Sequence, residues 1–471
     1  DGGPAVGYGR GKSQLVSWVG RAFYSFNDRY LITATFRADG SSKFRGDNKW
    51  GYFPSLALGW RLSEESFFAG IEQIDELKLR ASYGITGNQE IPALRTVQNL
   101  QPQSGTIFGG VRIPTVSVAS LGNPYLKWET TEQINVGLSS SFFANRLNFT
   151  FDYYVKNTTD LLLDVNIPFS AGFDDRPTFN FGEVKNTGFE VALGGEIIQS
   201  ADFSWTADVN FSRNVNEVVN IFGENVLGRD IASDNNLPGN YVAEGLPVGV
   251  FYGYQTDGIY NDQAEVDNDP VTNEIYLQEV GEYKIADISN DNVINAEDRT
   301  VIGDPNPDFI YGLNTSLTYK NFNLDLFFQG TQGNEILWND ARKLYGPWPE
   351  FNGLQARFDD RWTPQNTDAA YPKYNVGATE LQGFYDDRII FDGSYFRLRN
   401  VTLGYNLPAQ TVNFLSNLRI YASATNIFTL TDYPGYNPDV NSFGQNAINS
   451  GIDLGAYPLS KTYTIGFNAS F

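Results

Sequence analysis

Residues 462–471 read Thr-Tyr-Thr-Ile-Gly-Phe-Asn-Ala-Ser-Phe. Successive side chains on a strand point to opposite faces. Tyr463, Ile465, Phe467, Ala469 and Phe471 therefore share one face, and Thr462, Thr464, Gly466, Asn468 and Ser470 the other. The segment predicts a strand with one apolar side and one polar side. The same alternation runs through Phe203, Trp205, Ala207, Val209 and Phe211, and through Tyr311, Leu313, Thr315, Leu317 and Tyr319. It recurs in Leu147, Phe149, Phe151 and Tyr153, and in Tyr30, Ile32, Ala34 and Phe36.

About fourteen strands are predicted on this pattern. They fall near 13–26, 29–38, 50–62, 76–86, 128–142, 146–158, 178–198, 202–216, 248–256, 308–320, 322–332, 394–407, 417–429 and 461–471. Several exceed the ~9–11 residues that cross a bilayer at a tilt. Some joins are tight, at 26–29 and 144–145, whereas 88–127, 217–247, 257–307, 333–393 and 430–460 are long. Short turns at one end and long loops at the other predict an all-β chain forming a transmembrane antiparallel β-barrel, with short periplasmic turns and long extracellular loops. Tyr and Phe at the strand ends would make its aromatic girdles. A soluble sandwich or propeller also alternates. Here the polar face carries Asn, Thr, Asp and Arg, the apolar face is strongly aromatic, and no fixed-period repeat marks propeller blades.

Composition narrows the function classes. The 471 residues hold Lys+Arg 33 against Asp+Glu 55, a net charge of -22, with no Cys, His or Met. Disulfides, Cys-ligated zinc, iron–sulfur clusters, a Ser-His-Asp triad and a haem His are excluded. The acidic balance argues against nucleic acid, whose phosphates need a basic footprint. Length alone suggests roughly three domains, yet no linker or charge run marks a boundary. No run of ~18 apolar residues makes a transmembrane helix, which leaves a barrel fully open. No signal peptide opens the chain, and Asp1 reads as a processed start or the start of a fragment.

Seven segments in order resemble the SusC/RagA family of outer-membrane TonB-dependent transporters of Bacteroidetes-type bacteria. They are 27–44 (NDRYLITATFRADGSSKF), 52–68 (YFPSLALGWRLSEESFF), 77–91 (LKLRASYGITGNQEI), 123–138 (NPYLKWETTEQINVGL), 180–193 (NFGEVKNTGFEVAL), 392–408 (DGSYFRLRNVTLGYNLP) and 425–440 (TNIFTLTDYPGYNPDV). The resemblance implies a barrel of about 22 strands, an N-terminal plug and an energy-coupling box. On that pattern residues 1–471 are the C-terminal part of the barrel, with the plug and remaining strands outside this chain. It implies active import of oligosaccharides or peptides, a SusD-like surface lipoprotein as partner, and a TonB complex acting through the N-terminal part. Outer-membrane lipid and lipopolysaccharide would surround the wall. The alternatives are a passive diffusion channel and a structural or docking barrel in a cell-surface machine. A surface hydrolase would need a carboxylate pair ~5–10 Å apart, and no pair is singled out, so no enzyme and no catalytic residue is predicted.

Several local patterns suggest sites. In 287–298 oxygen donors fall at Asp287, Ser289, Asp291, the Val293 carbonyl, Asn295 and Asp298, the spacing of a calcium loop. Position six is Asn292 where such loops carry Gly, and position twelve is Asp where Glu is usual. Calcium, if held there, would be structural, pinning the 257–307 loop. Residues 7–13 look like a phosphate loop but carry Val6 where a Gly is required, and a strand follows. The Asn-X-Ser/Thr triplets at Asn148, Asn210, Asn314 and Asn400 read as polar strand positions. Trp338, Tyr345, Trp348 and Phe351, with Tyr433 and Tyr436, are candidates for stacking on a substrate or partner, or for packing the loops themselves. Tyr463, Phe467 and Phe471 resemble a barrel-assembly signal.

Overall fold

The computed structural model describes residues 12–164, 177–222, 226–227, 239–273, 278–345, 352–374, 385–408, 415–444 and 446–470. Thirteen strands form one antiparallel sheet in strict sequence order. They are β1 (Leu15–Phe26), β2 (Tyr30–Ser41), β3 (Trp50–Arg61), β4 (Ile74–Asn88), β5 (Glu129–Phe142), β6 (Leu147–Thr159), β7 (Glu183–Gln199), β8 (Phe203–Asn220), β9 (Phe309–Tyr319), β10 (Phe322–Gln332), β11 (Tyr395–Leu407), β12 (Asn417–Thr431) and β13 (Thr462–Ser470). Two compact bodies divide the chain: 1–189 with 218–223, and 190–217 with 224–471.

In the first body the short turns at 27–29 and 143–146 alternate with the long connections 89–128 and 160–182. Asn27 and Asp28 take φ of 51° and 55°, the left-handed backbone that lets a tight turn follow the right-handed twist of its strands. In the second body, two-residue and three-residue joins at 320–321 and 200–202 alternate with long loops after β8, β10 and β12.

Two expected strands differ from the sequence reading. The predicted strand at 248–256 is outside the main sheet. Val250–Gly253 instead pairs with Asn240–Val242 and Thr300–Gly303 in a four-stranded loop sheet. Val250 and Phe251 are consecutive and both buried, so this segment has no face for lipid. Parity gives the same answer: a wall strand there would send one of its flanking long loops to the short-turn end. Among the described residues the wall thus has thirteen strands where about fourteen were expected. The 178–198 run also splits at Gly182, whose φ is 101°. Thr178–Asn180 pairs back onto Leu162–Asp164, and β7 begins at Glu183. The 88–127 loop contains a hairpin of its own, Asn99–Phe108 with Val111–Ser120.

The strands are inside-out by the standard of a soluble protein. On β2 Tyr30, Ile32 and Phe36 are exposed while Thr33 and Thr35 are half-buried. On β5 Ile134 and Val136 are exposed while Gln133 and Asn135, on the other face, are half-buried and Ser141 is buried. Isolated exposed apolar residues are ordinary, but whole strand faces of them mark contact with another apolar phase. The opposite face carries ion pairs. Arg80, Gly137 and Asp152 lie in one row across β4, β5 and β6. Arg80 Nη2 reaches Asp152 Oδ2 at 2.7 Å over the bare glycine. A Cβ at 137 would stand 2.3 Å from Asp152 Oδ1, so this bridge needs glycine beneath it. Asn148, Asn210, Asn314 and Asn400 all fall within wall strands. Among the described residues no helix is long and apolar enough to cross a membrane, which says nothing of strands.

Candidate functional site

The long loops of the second body fold into a layer with its own core. Glu335–Trp338 pairs antiparallel with Ile390–Asp392 and parallel with Ile452–Asp453, so it ties the loops after β10 and β12 together. Phe251, Ile336, Leu337, Trp338, Ala341, Tyr385, Ile389, Tyr433 and Ile452 pack as one buried cluster. Ile336, Leu337 and Trp338 are buried in succession. Alternation is lost here because these short strands are covered on both faces.

This core absorbs most of the loop aromatics that were candidates for ligand stacking. Trp338 and Tyr433 are buried with ring centroids 6.1 Å apart, and Tyr345 lies edge-on to Trp338 at 6.2 Å. Tyr345 also stacks on Tyr371 at 5.2 Å. The Tyr433 hydroxyl donates to Asp453 Oδ2 at 2.6 Å, and burial together with this bond raises its pKa. Trp338 and Tyr433 thus pack inside the loop layer and Tyr345 packs against it, the second of the two roles their sequence allowed. Their aromatic character was legible; their burial depends on neighbours distant in sequence. Tyr436 is exposed. Trp348 and Phe351 lie outside the described residues.

Periodicity did not single out Arg397. It is 1% exposed, and every part of its guanidinium is engaged. Nε donates to Thr429 Oγ1 at 2.9 Å, Nη2 to Asn437 Oδ1 at 2.8 Å, and Nη1 to Asp439 Oδ2 at 3.3 Å. Its face lies 4.6 Å from the Tyr395 ring centroid. One wall residue thus fastens the start of the loop after β12. The only sequence signal was its place in the 392–408 segment.

The 287–298 loop closes on its own amides. Asp298 is fully buried; Oδ1 accepts the N–H groups of Ile288 at 3.0 Å and Ser289 at 3.1 Å, and Oδ2 accepts that of Asn295 at 2.7 Å. Burial pushes its pKa up, but the bonds from Asn295, Ser289 and Ile288 win, and the net shift is below the ordinary 3.8. Asp287 accepts the N–H of Asn290 at 2.7 Å and of Asn292 at 2.9 Å, and Asp291 that of Val293 at 2.8 Å. Asn292 takes the turn at φ 64°. Among the described residues no three acidic side chains gather at one point as a metal site, so Asp287, Asp291 and Asp298 do not converge in this conformation. The donor set remains the oxygen-only chemistry calcium takes.

A cleft of ≈ 480 Å³ opens beside this layer, lined by Thr256–Ile259, Asn261, Tyr283, Lys284, residues 367–370 and Arg388. Arg388 lies 3.9 Å over the Tyr283 ring and binds Asp386 through Nε at 2.8 Å.

The wall and its loop layer have counterparts in known proteins. The family profile described as "TonB dependent receptor-like, beta-barrel" matches residues 8–427. The chain belongs to this family. Among TonB-dependent receptor-like barrels it is 36% identical over 468 residues to TonB-dependent receptor P26 of Formosa agariphila, covering 97% of this chain and 46% of that protein. To TonB-dependent receptor SusC of Bacteroides thetaiotaomicron it is 31% identical, covering 98% of this chain and 44% of the relative. A solved structure of the RagAB peptide transporter superposes with TM-score 0.79 at 26% identity, over 98% of this chain and 47% of that one. The chain thus spans under half the length of these relatives. As a TonB-dependent receptor-like barrel of the SusC/RagA type, it resides in the outer membrane. Membership also explains the outward strand faces: Tyr463, Ile465 and Phe467 on β13 are 73%, 86% and 73% exposed. Phe471 lies outside the described residues.

Proposed function

We propose that the protein containing this chain imports a nutrient too large for passive pores, drawing energy from a TonB complex and working with a SusD-like surface lipoprotein. The observation that carries this reading is the folded loop layer in a barrel of the TonB-dependent family. A plain diffusion channel has no need of loops knit into sheets around a buried aromatic core. Oligosaccharides and peptides are the substrate classes, the latter supported by the likeness to the RagAB peptide transporter. No covalent chemistry is required; binding and gated access are the mechanism. The intact protein is expected to co-purify from detergent with a roughly equimolar lipoprotein, and uptake should stop when the proton gradient is collapsed. A protein that purifies alone and passes its substrate at the same rate in de-energised cells is a diffusion channel.

We also propose that calcium tightens the 287–298 loop, a reading supported by the donor spacing and the positive φ at Asn292. To bind it, Asp287 and Asp291 must turn oxygens from backbone amides to the ion, whereas Asp298 closes the loop unaided. Asp298→Ala should open the loop to protease outright, at a cost of roughly 3 kcal/mol for three lost acceptor bonds. Acid should do the same. The Asp298 pKa is depressed on folding, so its contribution is complete above about pH 4 and lost as pH falls through the lowered value. Chelator should raise cleavage in the parent protein and leave Asp291→Ala unchanged. Cleavage indifferent to chelator removes calcium from the account.

A further inference from the structure

Residues 279–283 form a strap between two segments of the loop layer. On one side the Tyr260 N–H donates to the Glu282 carbonyl at 3.0 Å and the Gly281 N–H to the Tyr260 carbonyl at 2.7 Å. On the other the Lys373 N–H donates to the Gly281 carbonyl at 2.8 Å, and the Tyr283 hydroxyl to the Ala370 carbonyl at 2.8 Å. The fit is close. Gly281 has φ 85°, and a Cβ there would stand 2.7 Å from Trp362 Cε3. Ile259, Tyr283 and Trp362 form a small apolar core at this junction. Tyr283, residues 367–370 and Arg388 also line the ≈ 480 Å³ cleft, so the strap is part of the cleft wall.

The Glu282 side chain sits inside this junction. The residue is 3% exposed, and Oε1 has no hydrogen-bond partner among the described residues. An ionised carboxylate in such a place is costly unless it is paired. The charged groups around it are Lys373, Glu279, Arg388 and Arg357, with Tyr283 adjacent in sequence. Two of the three cations are held by other carboxylates. Lys373 Nζ is 2.9 Å from Glu279 Oε1, Arg388 is bound to Asp386, and Arg357 lies 5.2 Å over the Tyr374 ring. Glu279 and Asp386 add negative charge of their own.

We propose that Glu282 is a proton-operated latch: neutral, it holds the 279–283 strap packed against 360–373, and ionised, it releases the strap and loosens that wall of the cleft. Burial pushes the carboxyl up to about 7, with Lys373 pulling the other way and Glu279 adding to the rise. The folded value is raised above the ordinary 4.5. The latch is therefore complete below pH ~4.5 and lost as pH rises through about 7. Between pH 6 and pH 8 the closed-to-open ratio falls about tenfold. This inference stands apart from the importer reading, since the latch holds or fails whatever crosses the barrel.

Hydrogen exchange of the intact protein in lipid nanodiscs tests it. After correction for the intrinsic pH dependence of exchange, protection at the Tyr260, Gly281 and Lys373 amides should fall about tenfold from pH 6 to pH 8. Amides of β9 should keep theirs. Glu282→Gln, neutral at every pH, should hold the three amides protected at both. Parent protection that stays flat across this range overturns the latch whether or not the variant folds. A glutamine variant that folds and keeps the parent's pH dependence overturns it as well.

Discussion

Arg397→Ala should release the 432–453 segment from the wall while the sheet stays intact. Removing the guanidinium takes the donor from Thr429, leaves the buried Asn437 Oδ1 with the Asp439 N–H alone, and opens an arginine-sized gap beside Tyr395. Asp439 loses least, because its side chain is half-exposed. The two lost bonds and the lost packing together cost roughly 3–5 kcal/mol. Arg397→Lys should recover only part of this, since one ammonium cannot span three acceptors in different directions. Protease nicking between 434 and 450 should rise sharply in the alanine variant, with heat-modifiable migration of the barrel unchanged. Equal resistance in both proteins would mean that the loop is held by its aromatic core alone.

The second large effect belongs to β13. Ile465 is 86% exposed on the face it shares with Tyr463 and Phe467. In a membrane that face meets lipid, where Arg at the midplane costs roughly 2–4 kcal/mol and falls toward nothing near the interface. Ile465→Arg should deplete folded protein in the outer membrane, and Thr464→Arg, one residue away on the opposite face, should be tolerated. Equal yields would remove the lipid from one side of this strand.

What the sequence made legible follows from how far each signal reaches. Period-two alternation is local, so β2, β6, β8, β9, β10 and β13 could be placed within a few residues from the chain alone. The 248–256 segment was misplaced because Val250 and Phe251 look like any apolar strand; only their pairing with residues 240–242 and with the more distant 300–303 removes them from the wall. The packing of the loop aromatics was hidden for the same reason. Trp338 becomes a core residue through Phe391 and Tyr433, dozens of residues away, and no periodic signal carries that. Arg397 looked like one more charge on a polar strand face until Asn437 and Asp439 closed over it. Glu282 was likewise one acid among many, and its isolation is visible only in three dimensions.

All of this rests on the claim that alternate faces of the wall strands meet lipid and water. The chain contains no Cys, so single cysteines can be introduced without background from it. On β2 the series Ile32, Thr33, Ala34, Thr35 and Phe36 covers both faces over five positions. With each labelled by an environment-sensitive fluorophore in nanodiscs, lipid-borne quenchers should reach 32, 34 and 36, and water-borne quenchers 33 and 35, with a period of two. Quenching from the same phase at all five positions, or the opposite alternation, would contradict the barrel wall and with it the account of this protein as an outer-membrane transporter.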